Sequence, residues 1–240
     1  MAVLVYGFVE PGTRLRGVAG VDGRNVGTVE LGDVAALVSD LDTDVVAARR
    51  RSVRAFVEVL SAALEGSTVI PMQFGAVMGS DREVREELLE PLQEQLRGLL
   101  DEYENLVEMR IAARYDEQRL LAEIVADNTQ VRRLRGSSAH QLQLGELVAR
   151  EYERRRAEDV EPLLARLRSL VEDEEHDDVP EWGVMASSFL VRRAQLGAFE
   201  RLVERWAEAN APLVQGELAG PMAPFSFVEL ELSAAEATWA

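Results

Sequence analysis

An α+β fold in two domains is what this sequence predicts, and three observations carry the prediction. The chain has 240 residues, which is long for one core of about 100 to 150 residues and comfortable for two. Val107, Met109, Ile111, Ala113 and Tyr115 alternate with Glu108, Arg110 and Arg114, the period-two pattern of a strand with one face buried and one face wet. Strand-like stretches of this kind are interleaved with others whose apolar residues recur at helical spacing. Residues 1–116 form the expected N-terminal domain and residues 117–240 the C-terminal one.

The N-terminal elements follow in order. Val3 to Val9 reads as a strand, and the glycine-rich stretch from Gly12 to Gly32 as loops and a short hairpin, with Val34 to Ser39 the next strand. Asp42, Thr43 and Asp44 offer a helix cap. In the helix beyond, Val46, Val53, Phe56, Val57, Leu60 and Leu64 form the apolar face, opposite Arg49, Arg50, Arg54 and Glu58. Two short strands around Pro71 come next. Ser80 and Glu83 then have the spacing of a capping box that opens a second helix, where Pro91 is expected to cost a backbone hydrogen bond and produce a kink. The strand ending at Tyr115 closes the domain, and the order from Val34 is that of a ferredoxin-like unit with an extra N-terminal strand.

The C-terminal domain begins with a short helix through Leu120, Leu121, Ile124 and Val125, then a polar, arginine-bearing connection from Asp127 to Ser138. A long helical region follows, with a break expected at Pro162, and the acidic run Glu172 to Asp178 reads as a solvated loop. Trp182 to Val191 is the next strand, and Leu196, Phe199, Val203 and Trp206 the stripe of the next helix. Leu213 to Leu218 and Phe225 to Leu232 are expected to pair as a terminal β-hairpin across Gly220-Pro221.

Composition removes several kinds of chemistry. The chain has no cysteine, so disulfides, thiolate metal sites and cysteine nucleophiles are excluded; it has no lysine either, which removes Schiff bases and the lysine of a phosphate loop. A net charge of −17 opposes binding to nucleic acid or to anionic lipid. No apolar run is long enough to span a bilayer, and the N-terminus lacks the positive flank of a signal peptide, so an intracellular protein is expected. His140 and His176 lie apart, with no serine elbow beside them, and Glu172 to Asp178 lacks the spacing and glycine of a calcium loop. Neither a catalytic group, nor a cofactor, nor a metal is expected.

Two apolar, proline-bearing segments stand out instead. One is Val69-Ile70-Pro71-Met72-Gln73-Phe74-Gly75-Ala76-Val77-Met78; the other is Gly220-Pro221-Met222-Ala223-Pro224-Phe225-Ser226-Phe227-Val228. Together with VLVYGFV at Val3 and NLVEMRI at Asn105, these segments resemble the gas vesicle accessory proteins of the GvpF/GvpL family, over nearly the whole chain. The matching positions are Pro71, Phe74 and Gly75, then Gly220, Pro221, Pro224, Phe225, Ser226, Phe227 and Val228; Met72-Gln73 and Met222-Ala223 depart from the family pattern. The resemblance implies a non-enzymatic cytoplasmic protein of the gas vesicle with a C-terminal domain of modified ferredoxin-like design. It implies, as partners, the small hydrophobic shell subunit and other gas vesicle accessory proteins, bound either by an assembly factor or by a minor shell component.

An apolar surface near Met72, Phe74, Phe225 and Phe227 is the expected partner-binding site, with burial in the core the alternative for the same side chains. The competing functional reading is a small-molecule-binding or enzymatic α+β domain, which requires a convergent polar pocket.

Overall fold

The computed structural model describes residues 1–15, 17–134 and 141–230. Two compact units emerge: residues 1–108 together with the segment from Pro221, and residues 109–220. The chain therefore leaves the first unit earlier than the 116/117 boundary read from the sequence, and returns to it near its end.

The first unit is built on β1 (Ala2–Val9), β2 (Val26–Leu31), β3 (Val34–Leu41), β4 (Ile70–Pro71) and β5 (Val77–Met78). They form one sheet in the order β2-β3-β1-β4, with β5 also pairing with β1. β1 is buried along its whole length, which explains its unbroken apolar sequence: a central strand has no wet face to mark. β2 and β3 pair antiparallel through a two-residue turn in which Gly32 takes φ +57°, a conformation open to glycine at no steric cost.

Helix α1 (Arg50–Leu64) packs on β1. It starts later than Asp44, and its N-cap is Arg49, which provides no side-chain cap. Its buried face is Ser52, Phe56, Val59, Leu60, Ala63 and Leu64, so the expected stripe is rotated: Val53 and Val57 are 39% and 40% exposed. The capping box forms. Ser80 Oγ accepts from Glu83 N at 3.2 Å, while the Glu83 carboxylate reaches back to Gly79 N at 2.8 Å. The helical segment α2 (Asp81–Glu83) continues as a π-helical stretch, Val84–Leu89, into α3 (Glu90–Glu102). Pro91 sits in the first turn of α3, and the wider π turn before it absorbs the ring and the missing donor.

A buried polar knot ties the glycine-rich loop to the sheet. Tyr6 Oη accepts from Val21 N at 2.9 Å and shares a hydrogen bond with Ser39 Oγ at 2.8 Å, and a Cβ at Gly20 would sit 2.4 Å from the same oxygen. Tyr6→Phe leaves Val21 N and Ser39 without this partner, and is expected to cost about 1 to 2 kcal/mol, read as a lower denaturation midpoint. Burial is the main cause that raises the Tyr6 pKa, against hydrogen bonds from Ser39 and Val21 that lower it. The neutral phenol is therefore favoured in the folded state; its stabilisation is complete below about pH 10 and fades as pH rises through the folded value.

The second unit contains β6 (Leu106–Tyr115) from Met109 onward, α4 (Glu117–Asp127), α5 (Thr129–Leu134), α6 (Gln141–Leu167), β7 (Val171–His176), β8 (Gly183–Arg192), α7 (Leu196–Asn210) and β9 (Val214–Met222), which runs to the unit boundary at Gly220. Its sheet has the order β7-β8-β6-β9. The strand ending at Tyr115 thus belongs to the second sheet and does not close a ferredoxin-like first domain; alternation reveals a buried face but not which sheet supplies the cover. Its core includes Met109, Ile111, Tyr115, Phe189, Phe199 and Trp206.

Three further expectations are corrected here. Helix α6 runs through Pro162 without a break. The acidic run expected as a loop is mostly β7, an edge strand whose outward charges discourage pairing with another chain. The terminal hairpin is replaced by the single strand β9, after which 225–227 form a turn; Glu231 and Leu232 lie outside the described residues. Among the described residues no helix is long and apolar enough to cross a membrane.

Candidate functional site

The four residues expected to form a partner surface all lie in the first unit, in unequal settings. Met72 is 3% exposed, and its backbone N–H donates to Tyr6 O at 2.9 Å, so this side chain is core and leaves the surface. Phe74 is half-buried, edge-on to Phe56 of α1 with ring centroids 5.4 Å apart. Phe56 in turn stacks on Tyr6 at 5.1 Å. The Pro71–Gly75 loop is positioned because β4 ends at the proline and Gly75 takes φ +99°, turning the chain into β5.

Val53 and Val57 lie on α1 at i,i+4 spacing, side by side on its exposed surface. Two exposed valines four residues apart on a helix otherwise lined outside by Arg54 and Glu58 form a nonpolar strip. Their exposure was hidden in the sequence, because Val53 fits the apolar periodicity as well as its neighbour Ser52 does; Ser52 is the buried one.

Phe225 and Phe227 sit elsewhere in the unit. Phe225 is 39% exposed and Phe227 half-buried. Their segment is held by a buried carboxylate: Glu108, 1% exposed, accepts from Ser226 N at 2.9 Å and from Ser226 Oγ at 2.8 Å. Tyr103 Oη adds a hydrogen bond to Phe227 O at 2.8 Å. Glu108 was expected on the wet face of its strand. Its one sequence signal is a lone acid inside the apolar run Leu106-Val107-Glu108-Met109, and its partner lies 118 residues away.

The cavities of the second unit include one lined by charged side chains engaged with one another. This one, of about 270 Å³, holds Arg154 and Arg155, which pair with Glu151, Glu158 and Glu123. The Glu151 carboxyl lies below its usual range, chiefly because Arg154 and then Asn128 donate to it. In the same unit burial pushes the Tyr115 hydroxyl far up, helped by its hydrogen bond to Asp159 at 2.7 Å, and keeps it a neutral donor. Among the described residues no group of three or more His, Asp or Glu side chains could hold a metal ion.

The family model described as "Gas vesicle synthesis protein GvpL/GvpF" matches residues 2–229. The chain belongs to the GvpL/GvpF family. A relative described as Gas vesicle protein F, from Streptomyces sp. (strain CB03234), is 34% identical over 211 residues, covering 82% of this chain and 85% of the relative. The crystal structure of GvpF from Anabaena sp. PCC7120 superposes with a TM-score of 0.81 at 19% identity, covering 96% of this chain and 97% of that one. GvpF from Microcystis aeruginosa gives a TM-score of 0.81 at 21% identity over 95% and 99%. At these identities the two structures speak for the α+β fold of this GvpL/GvpF member, and the sequence matches speak for its gas vesicle role.

Proposed function

We propose that this GvpL/GvpF protein is an assembly factor or minor structural component of the cytoplasmic gas vesicle, binding the small hydrophobic shell subunit and other gas vesicle proteins without catalysing a reaction. The observation that carries the reading is the exposed pair Val53 and Val57 on α1, the helix whose Phe56 packs against half-buried Phe74, on a chain of net charge −17. An unpolymerised shell subunit exposes apolar surface, and a strongly acidic carrier that covers it keeps the complex in solution. Phe225 and Phe227 form a second part of this surface, presented by the Glu108 anchor. In the second unit, β6, helices, β7, β8, α7 and β9 follow the order of a ferredoxin-like layer, with the sheet order β9-β6-β8-β7; this supports a modified ferredoxin-like design.

Capture of the shell subunit tests the reading. Val57→Asp removes little packing from a residue already exposed, so stability is expected to move by less than about 1 kcal/mol. Placing a charge in the contact is expected to weaken capture at least tenfold. Phe74→Ser is expected to cost about 1 to 2 kcal/mol of stability and to weaken capture as well. Phe225→Ser is expected to lower capture with an unchanged melting temperature. Capture equal to wild type in all three variants, or lost only in step with melting, would refute the proposal.

A further inference from the structure

We infer that the outward face of α1 docks an amphipathic helix of another polypeptide, one whose aliphatic row is flanked by carboxylates a turn apart. Residues four apart on a helix make a ridge, and two neighbouring ridges of α1 face away from the core. One is Val53, Val57 and Ser61, all exposed; the other is Arg50, Arg54 and Glu58, also exposed. The groove between them has one wall that begins with two valines and one that begins with two arginines. A partner ridge seats in such a groove with the helix axes about 8 to 10 Å apart, close enough to touch both walls.

Charge sets α1 apart from the other helices of the first unit. It contains Arg50, Arg51 and Arg54 against one acid, Glu58, in a chain of net charge −17. In α3, Arg97 stands against Glu90, Glu94, Asp101 and Glu102, and in α2 with its π-helical continuation Arg82 and Arg85 stand against Asp81, Glu83, Glu86 and Glu87. Arg54 meets Glu58 at 2.8 Å, but the two side chains are 81% and 51% exposed, so the pair contributes little and exchanges readily for another carboxylate. Among the described residues Arg50 makes no ion pair.

The two walls together define the occupant. Aliphatic side chains at four-residue spacing cover Val53 and Val57, and carboxylates along one flank of the same helix meet Arg50 and Arg54, whose guanidinium forks suit them. An anionic membrane could use the same cations, but the charge of the whole chain opposes it. The pairing rests on the contact at Val53 and Val57 proposed above and specifies the chemistry of the segment that meets it.

Amide NMR titration of the full chain with two stapled helical peptides tests this. Both peptides carry leucines at four-residue spacing, flanked in one by glutamates and in the other by lysines. The glutamate peptide is expected to bind about tenfold tighter and to shift the amides of α1, although a net charge of −17 favours the lysine peptide at long range. Arg50→Glu combined with Arg54→Glu is expected to reverse the preference, a result that a misfolded variant cannot give. Val53→Ser combined with Val57→Ser is expected to weaken the glutamate peptide about tenfold. Saturable shifts only outside α1, equal affinity for the two peptides, an unreversed preference, unchanged binding in the valine variant, or binding to phosphatidylserine vesicles alone would overturn the proposal. The shell subunit does not enter this titration: peptide binding with shell-subunit capture absent refutes only the proposed function, and a flat titration with Val57-dependent capture refutes only the acidic-helix occupant.

Discussion

Gly7→Ala is expected to cost about 3 kcal/mol, because the added methyl meets backbone on the neighbouring strand. A Cβ at Gly7 would stand 2.5 Å from Ile70 O and 3.2 Å from Pro71 Cα, both backbone atoms of the paired strand β4, and 3.1 Å from Leu60 Cδ2 of α1. Side chains can rotate away from such a clash, but the two strands must separate, and Gly7 pairs directly with Pro71 in their register. The register between β1 and β3 also shifts at Val5/Gly7, so the ladder is already irregular beside this contact. Overpacking of this kind costs about 1 to 3 kcal/mol in rigid sites, and here it is met by backbone on one side and a core leucine on the other. Urea denaturation checks it, with Gly27→Ala in β2 as the control. Nothing lies within 4 Å of a Cβ there, so that variant should stay within about 1 kcal/mol of wild type. Equal midpoints for Gly7→Ala and wild type would show that β4 moves aside freely.

Glu108→Ala is expected to cost about 3 kcal/mol and to free the segment after Pro221. The carboxylate receives two hydrogen bonds from one residue, Ser226, and bonds to a charged acceptor contribute about 1.5 to 3 kcal/mol each. Removing it strands Ser226 N in a partly buried place, and leaves Tyr103 Oη to hold the segment through Phe227 O. Chymotrypsin supplies the local readout, since Phe225 and Phe227 become accessible when the segment lifts. Cleavage there should quicken about tenfold in Glu108→Ala. Glu108→Gln, which still accepts from Ser226 N and can donate to its hydroxyl, should change both cleavage and midpoint far less. Similar behaviour of the two variants would mean that the carboxylate does not anchor the segment.

Much of the fold is legible where the relevant partner is close in sequence. The two-residue turn at Gly32 specifies the β2–β3 hairpin, and Ser80 with Glu83 marks a helix start through contacts three and four residues apart. The rotation of α1 was missed because Ser52 and Val53 are neighbours, and hydrophobicity alone prefers the valine; burial of Ser52 depends on a cavity and a helix end that local pattern cannot contain. Met72 was grouped with Phe74 because alternation puts residues two apart on one side, but β4 ends at Pro71 and the loop beyond it does not keep that period. The fate of Glu108 depends on a residue 118 positions away, beyond the reach of any periodicity.

Residue order and side-chain chemistry alone determined the α+β character, most strands and helices, the lack of thiol and lysine chemistry, and the family. Those properties follow from local backbone preference, composition and short motifs, each of which is complete within a few consecutive residues. Tertiary structure alone decided that β6 joins the second sheet, that the segment after Pro221 returns to the first unit, and that Val53 and Val57 are exposed and Phe74 half-buried while Met72 is core. A side chain's exposure is set by whichever distant segment covers it, and that choice is made only when the whole chain packs.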